Sequence, residues 1–583
     1  MATLAERVTR RSSPAERREF LPAIMVGAAV LAVLAVIGLL AAMLWLSVTS
    51  GNPNDPSLTY TFSHYKEIYL DAFTFAVIGN TLLFSAVTLA VALAIALPMA
   101  WLIERTDFPK KSLVFTCLTI GLLVPGFSTA LGWLFLLSPR IGLINLWLID
   151  LFGREDAPFN ISNLFGMGVV QGLALAPITF IMTAIVFRQM DSALEEAAAI
   201  GGANLWSRLR RVTLPLVWPG VLAASIYVFT IGFTAFDVPA VLGFNYRIFT
   251  FSTYVFFQVN PTEGVPQYHN VAALAVVMIV LAVVMSWLYG AMQRKAPRFA
   301  VVTGKAYRPN QIKLGRYKPL AVAFVGGYFV IAQLMPVLTL VWGAGLPFLQ
   351  PLSIEAMKMM SWANFTGLPS GLVERGIGNT AVLMVLVPTI TVLLSVGVSW
   401  VVLRSKLRYR GAFDFFAFLP HTVPTIVFAV SAWMIALFVL RDWLPIYGTI
   451  WVLVAVYVVA LLSYGTRMTN SALIQLHKEL EESARVSGAG TGGVMRAILI
   501  PLLAPAMLYS WVWMALLSYR ELTMPVVLST ANNQPLSVVV WGFVSGSQYG
   551  KASAVALIMV GLMVPILILY WTIARRTGIA PQA

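Results

Sequence analysis

The sequence Glu196-Ala197-Ala198-Ala199-Ile200-Gly201-Gly202, which continues to Leu214-Pro215, occurs twice in this chain of 583 residues. The second copy is Glu482-Ser483-Ala484-Arg485-Val486-Ser487-Gly488, which continues to Ile500-Pro501. In each copy a glycine follows the glutamate by 6 residues and a proline follows it by 19, with an offset of 286 between copies. We call Glu196–Pro215 and Glu482–Pro501 the first and second glutamate loops. Their repetition predicts a chain made of two related halves.

The composition is that of a membrane protein. Hydrophobic residues make up 59% of the chain and charged residues 11%, whereas soluble domains carry about 25% charged residues. The one cysteine, Cys117, excludes an internal disulfide and a cysteine metal cluster. The four histidines are too scattered for a metal array, so we expect no metal site and no cofactor bound by this chain.

Twelve apolar runs are long enough to cross about 30 Å of hydrocarbon as helices, and an isolated strand there would leave its backbone unpaired. We therefore predict an all-α polytopic membrane protein of about 12 transmembrane helices. The runs are 21–48, 74–102, 112–137, 163–188, 217–243, 270–292, 319–345, 377–403, 412–439, 446–466, 503–529 and 552–574.

The positive charges predict the orientation. Of the 39 Lys and Arg residues, 30 fall in the two termini and in the loops that share a side with them, and 9 fall elsewhere. Because cytoplasmic loops are rich in Lys and Arg, both termini and both glutamate loops are expected in the cytoplasm. This distribution accounts for the net charge of +15 without nucleic acid, and membrane lipid is the expected neighbour of the basic segments.

Further repeats predict two parallel halves of six spans each. Gly79-Asn80-Thr81 recurs as Gly378-Asn379-Thr380, and Trp101 and Arg105 recur as Trp400 and Arg404. Parallel halves suit a pathway between them. The predicted domains are a cytoplasmic tail (1–20), a first half (21–293), a basic, proline-punctuated linker (294–318) and a second half (319–583).

The residues of the first loop predict a short helix, a turn and a second helix. Glu195 and Glu196 suit the first turn of a helix, the alanines favour helix without adding bulk, and Gly201-Gly202 permits a sharp turn. Pro215 is expected to open the next membrane helix. The loop has no nucleophile, catalytic base or metal spacing, so we interpret it as a docking element. The alternative is a loop that only connects two spans, which matched spacing in two copies disfavours.

This pattern resembles the cytoplasmic loop of binding-protein-dependent ABC importer permeases. The first loop matches at Glu196, Ala197, Ala198, Gly202, Val212, Leu214 and Pro215. The second matches at Glu482, Ala484, Gly488, Ile498 and Pro501, and it departs at Ser483 and Ile500. The resemblance covers essentially the whole chain and implies a fused permease of the type I importer architecture. The stretches Ala235–Leu242 and Arg520–Pro525 look like the ferric-iron subfamily, although permeases for thiamine, phosphonates and polyamines share much of them.

The resemblance also implies partners. In the family such a loop is a coupling helix that inserts into a cleft of a cytoplasmic ATPase dimer. This chain has no Gly-x4-Gly-Lys-Ser/Thr phosphate loop, so ATP is expected to be used by a separate ATPase, and the chain is a transport subunit rather than an enzyme. An extracytoplasmic solute-binding protein and a bacterial inner-membrane location are implied as well. The ATPase-coupling residues would be Glu196, Ala197, Ala198, Gly202, Pro215, Glu482, Ala484, Gly488 and Pro501.

Charged residues and prolines inside the spans are candidates for the substrate pathway. Asp237 lies in the fifth run and Arg520 and Glu521 lie in the eleventh, where charge is costly unless it is paired or faces water. Pro239 and Pro525 follow them and predict a broken helix in each half. The alternative is a structural pairing of Arg520 with Glu521 or Asp237. His421 is interpreted as a hydrogen-bonded structural residue rather than an iron ligand.

Two other classes of function agree less well with the sequence. A secondary transporter could use Asp237 or Glu521 for ion coupling, but the loop Glu104–Lys111 lacks the Gly-x3-Asp-Arg-x-Gly pattern of the major facilitator group, and the repeated loops would be unexplained. A membrane-embedded enzyme such as a lipid transferase would need an acidic cluster or a histidine array that the sequence lacks.

Overall fold

A computed structural model describes residues 20–51, 58–153, 155–190, 193–261, 266–295 and 311–576. In these ranges the chain is helical apart from loops, one isolated bridge and two antiparallel two-residue strands, β1 (Thr49–Ser50) and β2 (Thr59–Tyr60). The first-half helices are α1 (Phe20–Ser47), α2 (Ser63–Leu70), α3 (Ala72–Arg105), α4 (Lys111–Leu123), α5 (Gly126–Leu137), α6 (Leu143–Phe152), α7 (Leu164–Gln189), α8 (Ala193–Ile200), α9 (Leu205–Thr234), α10 (Asp237–Gly243), α11 (Phe251–Val259) and α12 (Tyr268–Lys295).

The second half has the same order of spans, but it has no counterpart of α6 and has two short helices after its first span. Its helices are α13 (Gly315–Gly345), α14 (Ile354–Lys358), α15 (Ala363–Thr366), α16 (Ser370–Arg404), α17 (Arg410–His421), α18 (Thr425–Val439), α19 (Ile450–Gln475), α20 (Lys478–Val486), α21 (Thr491–Arg520), α22 (Thr523–Leu528), α23 (Leu536–Ser545) and α24 (Tyr549–Arg576).

The spans agree with the predicted all-α membrane architecture. Within the described residues, nine helices are each long and apolar enough to cross a membrane, and two sharply bent helix pairs raise the number to eleven. The remaining predicted run, 270–292, lies within α12, a helix of 28 residues. The prediction of about 12 spans therefore holds.

Two predicted spans are not single helices. The run 112–137 is split into α4 and α5, which meet at 93°, and the run 412–439 is split into α17 and α18, which meet at 101°. A proline precedes the second helix of each pair, Pro125 before α5 and Pro424 before α18. Proline has no N–H and holds the preceding residue away from helical geometry, so the helix ends before it.

The first span of each half packs against the other half. In α1, backbone of Met25 approaches Gly397 of α16, where a β-carbon would lie 3.4 Å from the Met25 carbonyl oxygen. In α13, the backbone of Pro336 lies close to Gly132 of α5. A β-carbon on Gly132 would be 2.4 Å from the Pro336 carbonyl oxygen. Small residues let membrane helices approach this closely. Each first helix therefore joins the two halves, since α1 also packs on α12 and α13 also packs on α24.

The threonine of the repeated Gly-Asn-Thr motif accepts the same kind of hydrogen bond in both halves. The Thr81 hydroxyl accepts a 2.8 Å hydrogen bond from the N–H of Phe251, at the start of α11, and Asn80 donates to the Phe249 carbonyl at 3.2 Å. In the second half the Thr380 hydroxyl accepts from the N–H of Leu536 at 2.9 Å, at the start of α23. The first N–H groups of a helix have no partner within it, and these threonines supply one inside the protein.

The predicted domain boundaries remain a prediction. Most of the tail (1–20) and residues 296–310 of the linker (294–318) lie outside the described residues. The described part of the linker includes Ile312, whose N–H donates to the Arg105 carbonyl at 3.0 Å and whose carbonyl accepts from the N–H of Asp107 at 3.1 Å. The end of the linker is thus attached to the first half.

We predict that Thr81→Val and Thr380→Val each lower the stability of the protein by about 1–3 kcal/mol, because each leaves a buried helix N–H without its acceptor. The measurement is the midpoint of thermal unfolding of the purified chain in detergent. Thr116→Val is the control, since that hydroxyl is exposed and bonds only the carbonyl of its own helix. Equal midpoints for all three variants would contradict this role.

Candidate functional site

Both glutamate loops begin with a short helix that ends in the same glycine turn. After α8, the N–H of Gly202 donates to the Ala199 carbonyl at 3.0 Å and the N–H of Ala203 donates to the Ala198 carbonyl at 3.0 Å. After α20, Gly488 donates to Arg485 and Ala489 donates to Ala484, both at 2.9 Å. This is the Schellman pattern, which needs a left-handed residue.

Glycine is required at this position because its φ angle is positive, and not because a side chain would lack room. Gly202 has φ of +81° and Gly488 has φ of +87°, and at both positions no other atom lies within 4 Å of where a β-carbon would be. A side chain would fit but would strain the backbone. The sequence prediction of a glycine turn is therefore confirmed in both loops, with a physical reason for the shared position.

A buried ion pair attaches each loop to the preceding spans. Arg105, the last residue of α3, bonds the Glu195 carboxylate on α8, and the side chains of both are at most 9% exposed. Arg404, the last residue of α16, bonds Glu481 on α20 at 2.5 Å, with exposures of 7% and 6%. Each arginine thus joins the end of one span to a loop helix.

The same arginines also cap the span that leads into each loop. Arg105 donates to the Met190 carbonyl at 3.4 Å, just after α7, and Arg404 donates to the Leu476 carbonyl at 2.9 Å, just after α19. A cation at the carboxyl end of a helix satisfies free carbonyls and is favoured by the helix dipole. Thr213 adds a further hydrogen bond to Glu195. In each half, one guanidinium at the end of a span therefore contacts both the loop helix and the end of the span that leads into the loop.

The glutamates predicted from the sequence, Glu196 and Glu482, are each next to the glutamate that forms the ion pair. Glu196 is half-buried and Glu482 is exposed, whereas the adjacent Glu195 and Glu481 are the buried ion-pair partners. The recurrence of Arg105 as Arg404 was visible in the sequence and was the signal for these pairs. The role predicted for Glu196 and Glu482 stays a prediction.

Each loop presents one apolar side chain almost fully to the outside. Ile200, the last residue of α8, is 89% exposed, and its counterpart Val486, the last residue of α20, is 90% exposed. The predicted contact residues Ala197 and Ala484 are exposed and half-buried, respectively. An exposed branched aliphatic residue at the same place in two rigidly attached helices is suited to insertion into an apolar cleft of another protein.

Pro215 opens the regular α-helical segment Leu214–Thr234, as predicted, and Pro501 opens Ile500–Arg520 in the same way, but neither proline starts its span. The helix that contains Pro215 begins at Leu205, and the one that contains Pro501 begins at Thr491. A π-helical turn precedes each proline, at Leu209–Thr213 and Met495–Leu499. The proline ring would clash with the carbonyl four residues earlier in a regular α-helix, and the wider π turn accommodates it within a continuous helix.

The predicted interruptions in the fifth and eleventh runs are present, but they lie before the prolines. In the first half α9 ends at Thr234 and α10 starts at Asp237, so Pro239 is the third residue of the new helix. In the second half α21 ends at Arg520 and α22 starts at Thr523, with Pro525 third. Proline in the first turn loses no helical hydrogen bond, which explains its position.

The charged residues at these interruptions stabilise helix ends. An Asp237 carboxylate oxygen lies beside Gly126, the first residue of α5, so closely that a β-carbon at Gly126 would be 2.8 Å from it. Glu521 accepts a 3.2 Å hydrogen bond from the N–H of Met524 in α22. Arg520 donates to the Leu122 carbonyl near the end of α4 in the other half. Anions at helix N-termini and a cation at a C-terminus are favourable.

The alternative of a direct ion pair is not realised. Among the described residues, no salt bridge within 4.0 Å joins Arg520 to Glu521 or to Asp237. Arg520 instead forms a contact between the halves. The role of Asp237, Pro239, Arg520, Glu521 and Pro525 in a pathway remains a prediction.

His421 lies at a second contact between the halves. Its ring stacks on Tyr227 of α9, with centroids 5.1 Å apart, and meets Tyr464 of α19 edge-on at 5.3 Å. In the described ranges, no group of three or more His, Cys, Asp or Glu residues could hold a metal ion. The contacts of His421 are therefore aromatic packing at the bend between α17 and α18.

Comparison with known proteins identifies relatives of both halves. The family described as "Binding-protein-dependent transport system inner membrane component" matches residues 95–297 and again 389–579. "Ferric transport system permease protein FbpB" of Actinobacillus pleuropneumoniae is 24% identical over 86% of this chain and 72% of its own length. "Fe(3+)-transport system permease protein FbpB 2" of Haemophilus influenzae is 20% identical over 83% of this chain and 87% of its own length. A solved structure of a bacterial alginate ABC transporter aligns with a TM-score of 0.36 and 18% identity, over 45% of this chain and 96% of the aligned chain.

We predict that Glu195→Gln destabilises the protein by about 3–5 kcal/mol, because Arg105 then keeps a buried charge without its carboxylate. Arg105→Met combined with Glu195→Met should recover most of that loss. Thermal unfolding of the purified chain measures both, and Glu481→Gln tests the second half in the same way. The control is Asp414→Asn, since the side chains of Asp414 and its partner Arg467 are 35% and 46% exposed and such pairs contribute about 0–1 kcal/mol. A loss no larger than that of the control would refute the assigned role.

Proposed function

Because the chain belongs to the family of binding-protein-dependent transport system inner membrane components, we propose that it is the fused permease of an ATP-driven importer of ferric iron. Both family matches lie in one chain, so this permease subunit carries both halves of the transmembrane pathway. We propose further that both termini and both glutamate loops face the cytoplasm, which the distribution of Lys and Arg supports. The chain is a transport subunit, and a separate ATPase dimer supplies the energy.

The observation that carries the ATPase proposal is the pair of exposed apolar residues at equivalent places, Ile200 and Val486. Each ends a helix that a buried ion pair fixes to two spans. A cleft on each ATPase subunit would receive one of these side chains, and its burial would provide affinity. Because the helix is attached to the ends of the spans through Arg105 or Arg404, a displacement of the ATPase would move those spans.

The contacts between halves suggest what such a displacement changes. Arg520 bonds the Leu122 carbonyl across the halves, and His421 stacks on Tyr227 across the halves. Separation of the halves would break both contacts and further expose Asp237 and Glu521, which are half-buried at the interrupted helices. We assign this region to the gate of the pathway, since interrupted helices and charges within membrane spans mark ion and substrate pathways.

Ferric iron is proposed from the relatives, two of which are named as ferric or Fe(3+) transport permeases. Thiamine, phosphonate and polyamine importers share the architecture and are the alternatives. An extracytoplasmic binding protein would select the solute and deliver it to the outer end of the pathway.

We predict that Ile200→Asp together with Val486→Asp abolishes binding of the partner ATPase, because a carboxylate cannot enter an apolar cleft without a large desolvation cost. The measurement is co-purification of the ATPase with the tagged permease. Trp443→Asp is the matched control, because Trp443 is also 89% exposed but is expected on the opposite side of the membrane. ATPase retention by the double variant would show that docking occurs elsewhere.

We predict that vesicles containing the permease, its ATPase and its binding protein take up radiolabelled ferric iron only when ATP is supplied on the cytoplasmic side. Glu196→Lys with Glu482→Lys should stop uptake and release the ATPase. Uptake driven by a proton gradient without ATP would contradict the importer proposal. Uptake that is ATP-dependent but responds to thiamine, a phosphonate or a polyamine instead of iron would contradict only the proposed substrate.

A further inference from the structure

A cavity of about 880 Å³ opens beside the second glutamate loop. One wall is apolar and consists of the start of α1, from Pro22 to Gly27, together with Trp400 of α16. The lining also includes the basic residues Lys406 and Arg485. The neighbouring part of α1 exposes Phe20 at 73% and Ile24 at 63%, so the cavity lies where apolar helix surface meets the polar loops.

A second cavity of about 510 Å³ shares Arg404, Lys406 and Arg485 with the first and has a more charged lining. Its basic residues outnumber its two acidic ones, Glu481 and Glu482. The basic residues are Arg404, Lys406, Arg410, Lys478 and Arg485. The apolar wall of the first cavity therefore lies next to a group of side chains with a net positive charge.

The equivalent place in the first half is occupied by the chain itself. There Ile312 pairs with residues 105–107 at the end of α3, and the N–H of Leu314 donates to the Asp107 carboxylate at 2.8 Å. Lys318, at the start of α13, lies 3.6 Å from the same carboxylate. A cationic segment thus contacts an anionic residue beside the first loop.

The second half is more basic at this place. Lys406 is the counterpart of Asp107, by the same offset of 299 that relates Arg105 to Arg404, and Arg485 is the counterpart of the uncharged Ala199. Glu481 pairs with two arginines, Arg404 at 2.5 Å and Arg485 at 4.0 Å, so one carboxylate faces two positive charges, and the Arg485 side chain is 52% exposed. The cavity is therefore suited to an anionic occupant.

We propose that this cavity binds one anionic phospholipid, with its phosphate between Lys406 and Arg485 and an acyl chain along α1 and Trp400. The apolar wall, the basic lining residues and the position at the ends of spans match the parts of such a lipid. The chain's own residues 1–19 carry five arginines and three glutamates, so their net charge disfavours them as the occupant. Arg485 would then contact both the lipid phosphate and Glu481. Bound lipid would therefore affect the Arg404–Glu481 ion pair, which attaches the second glutamate loop to the spans.

The test is native mass spectrometry of the purified full chain with phosphatidylglycerol or phosphatidylcholine of identical acyl chains. We expect one phosphatidylglycerol to be retained preferentially. Lys406→Gln and Arg485→Gln should each weaken its retention about five-fold, the usual effect of one basic residue at an anionic membrane surface. Gly27→Leu should also reduce retention, because Gly27 lines the cavity and a β-carbon there meets no atom within 4 Å, so the added side chain would compete with the lipid for this space.

Arg408→Gln with Arg496→Gln is the matched control, since both residues are exposed in the second half and neither lines the cavity. It should leave retention unchanged. Equal retention of the two lipids, or a loss in the control as large as in Lys406→Gln, would overturn the proposal. So would an increase in phosphatidylglycerol retention after removal of residues 1–19, which would assign the cavity to the chain's own N-terminal segment. None of these outcomes depends on the ATPase or on the solute.

Discussion

One arginine at the end of a span positions each glutamate loop, and the proposed coupling depends on it. A buried guanidinium is tolerated only when its charge and its donors are satisfied. Arg105 and Arg404 meet this requirement with a carboxylate on the loop helix and a carbonyl at the end of the preceding span. Since both partners are needed, the loop helix has one orientation relative to the two spans. The exposed residue at its tip is therefore held at a defined place outside the membrane.

The interrupted helices are subject to a similar requirement. Within lipid, free backbone groups must find partners inside the protein. Thr81 and Thr380 accept from the first N–H of a helix in each half, Glu521 accepts from α22, and Arg520 donates to the end of α4. The halves are alike in the threonine contacts and differ at Arg520, which has Thr234 as its counterpart. The hydrogen bond that Arg520 makes across the halves therefore has no equivalent from the first half.

Much of this arrangement could be predicted from the sequence, because spacing and residue type encode local geometry. The glycines at 202 and 488 indicated a turn that only glycine makes without strain, and the structure has it. The choice between Glu195 and Glu196 could not be made in this way. Adjacent helical residues point about 100° apart, and which one faces Arg105 depends on how the loop packs. Prolines were equally ambiguous: Pro125 and Pro424 precede bends, whereas Pro98 and Pro177 lie inside continuous helices. Tertiary contacts decide between these outcomes.

The contact of α1 with the second half has a consequence for biosynthesis. α1 packs against Gly397 of α16, which is synthesised much later than α1. During membrane insertion α1 can pack on α12 of its own half but lacks its second-half neighbours. The side of α1 that later meets α16 therefore faces lipid for a time, and it is stable there only if it is apolar. α1 is the most apolar of the nine continuous candidate spans in the described ranges, which fits a helix that is exposed to lipid until the second half of the chain has been made.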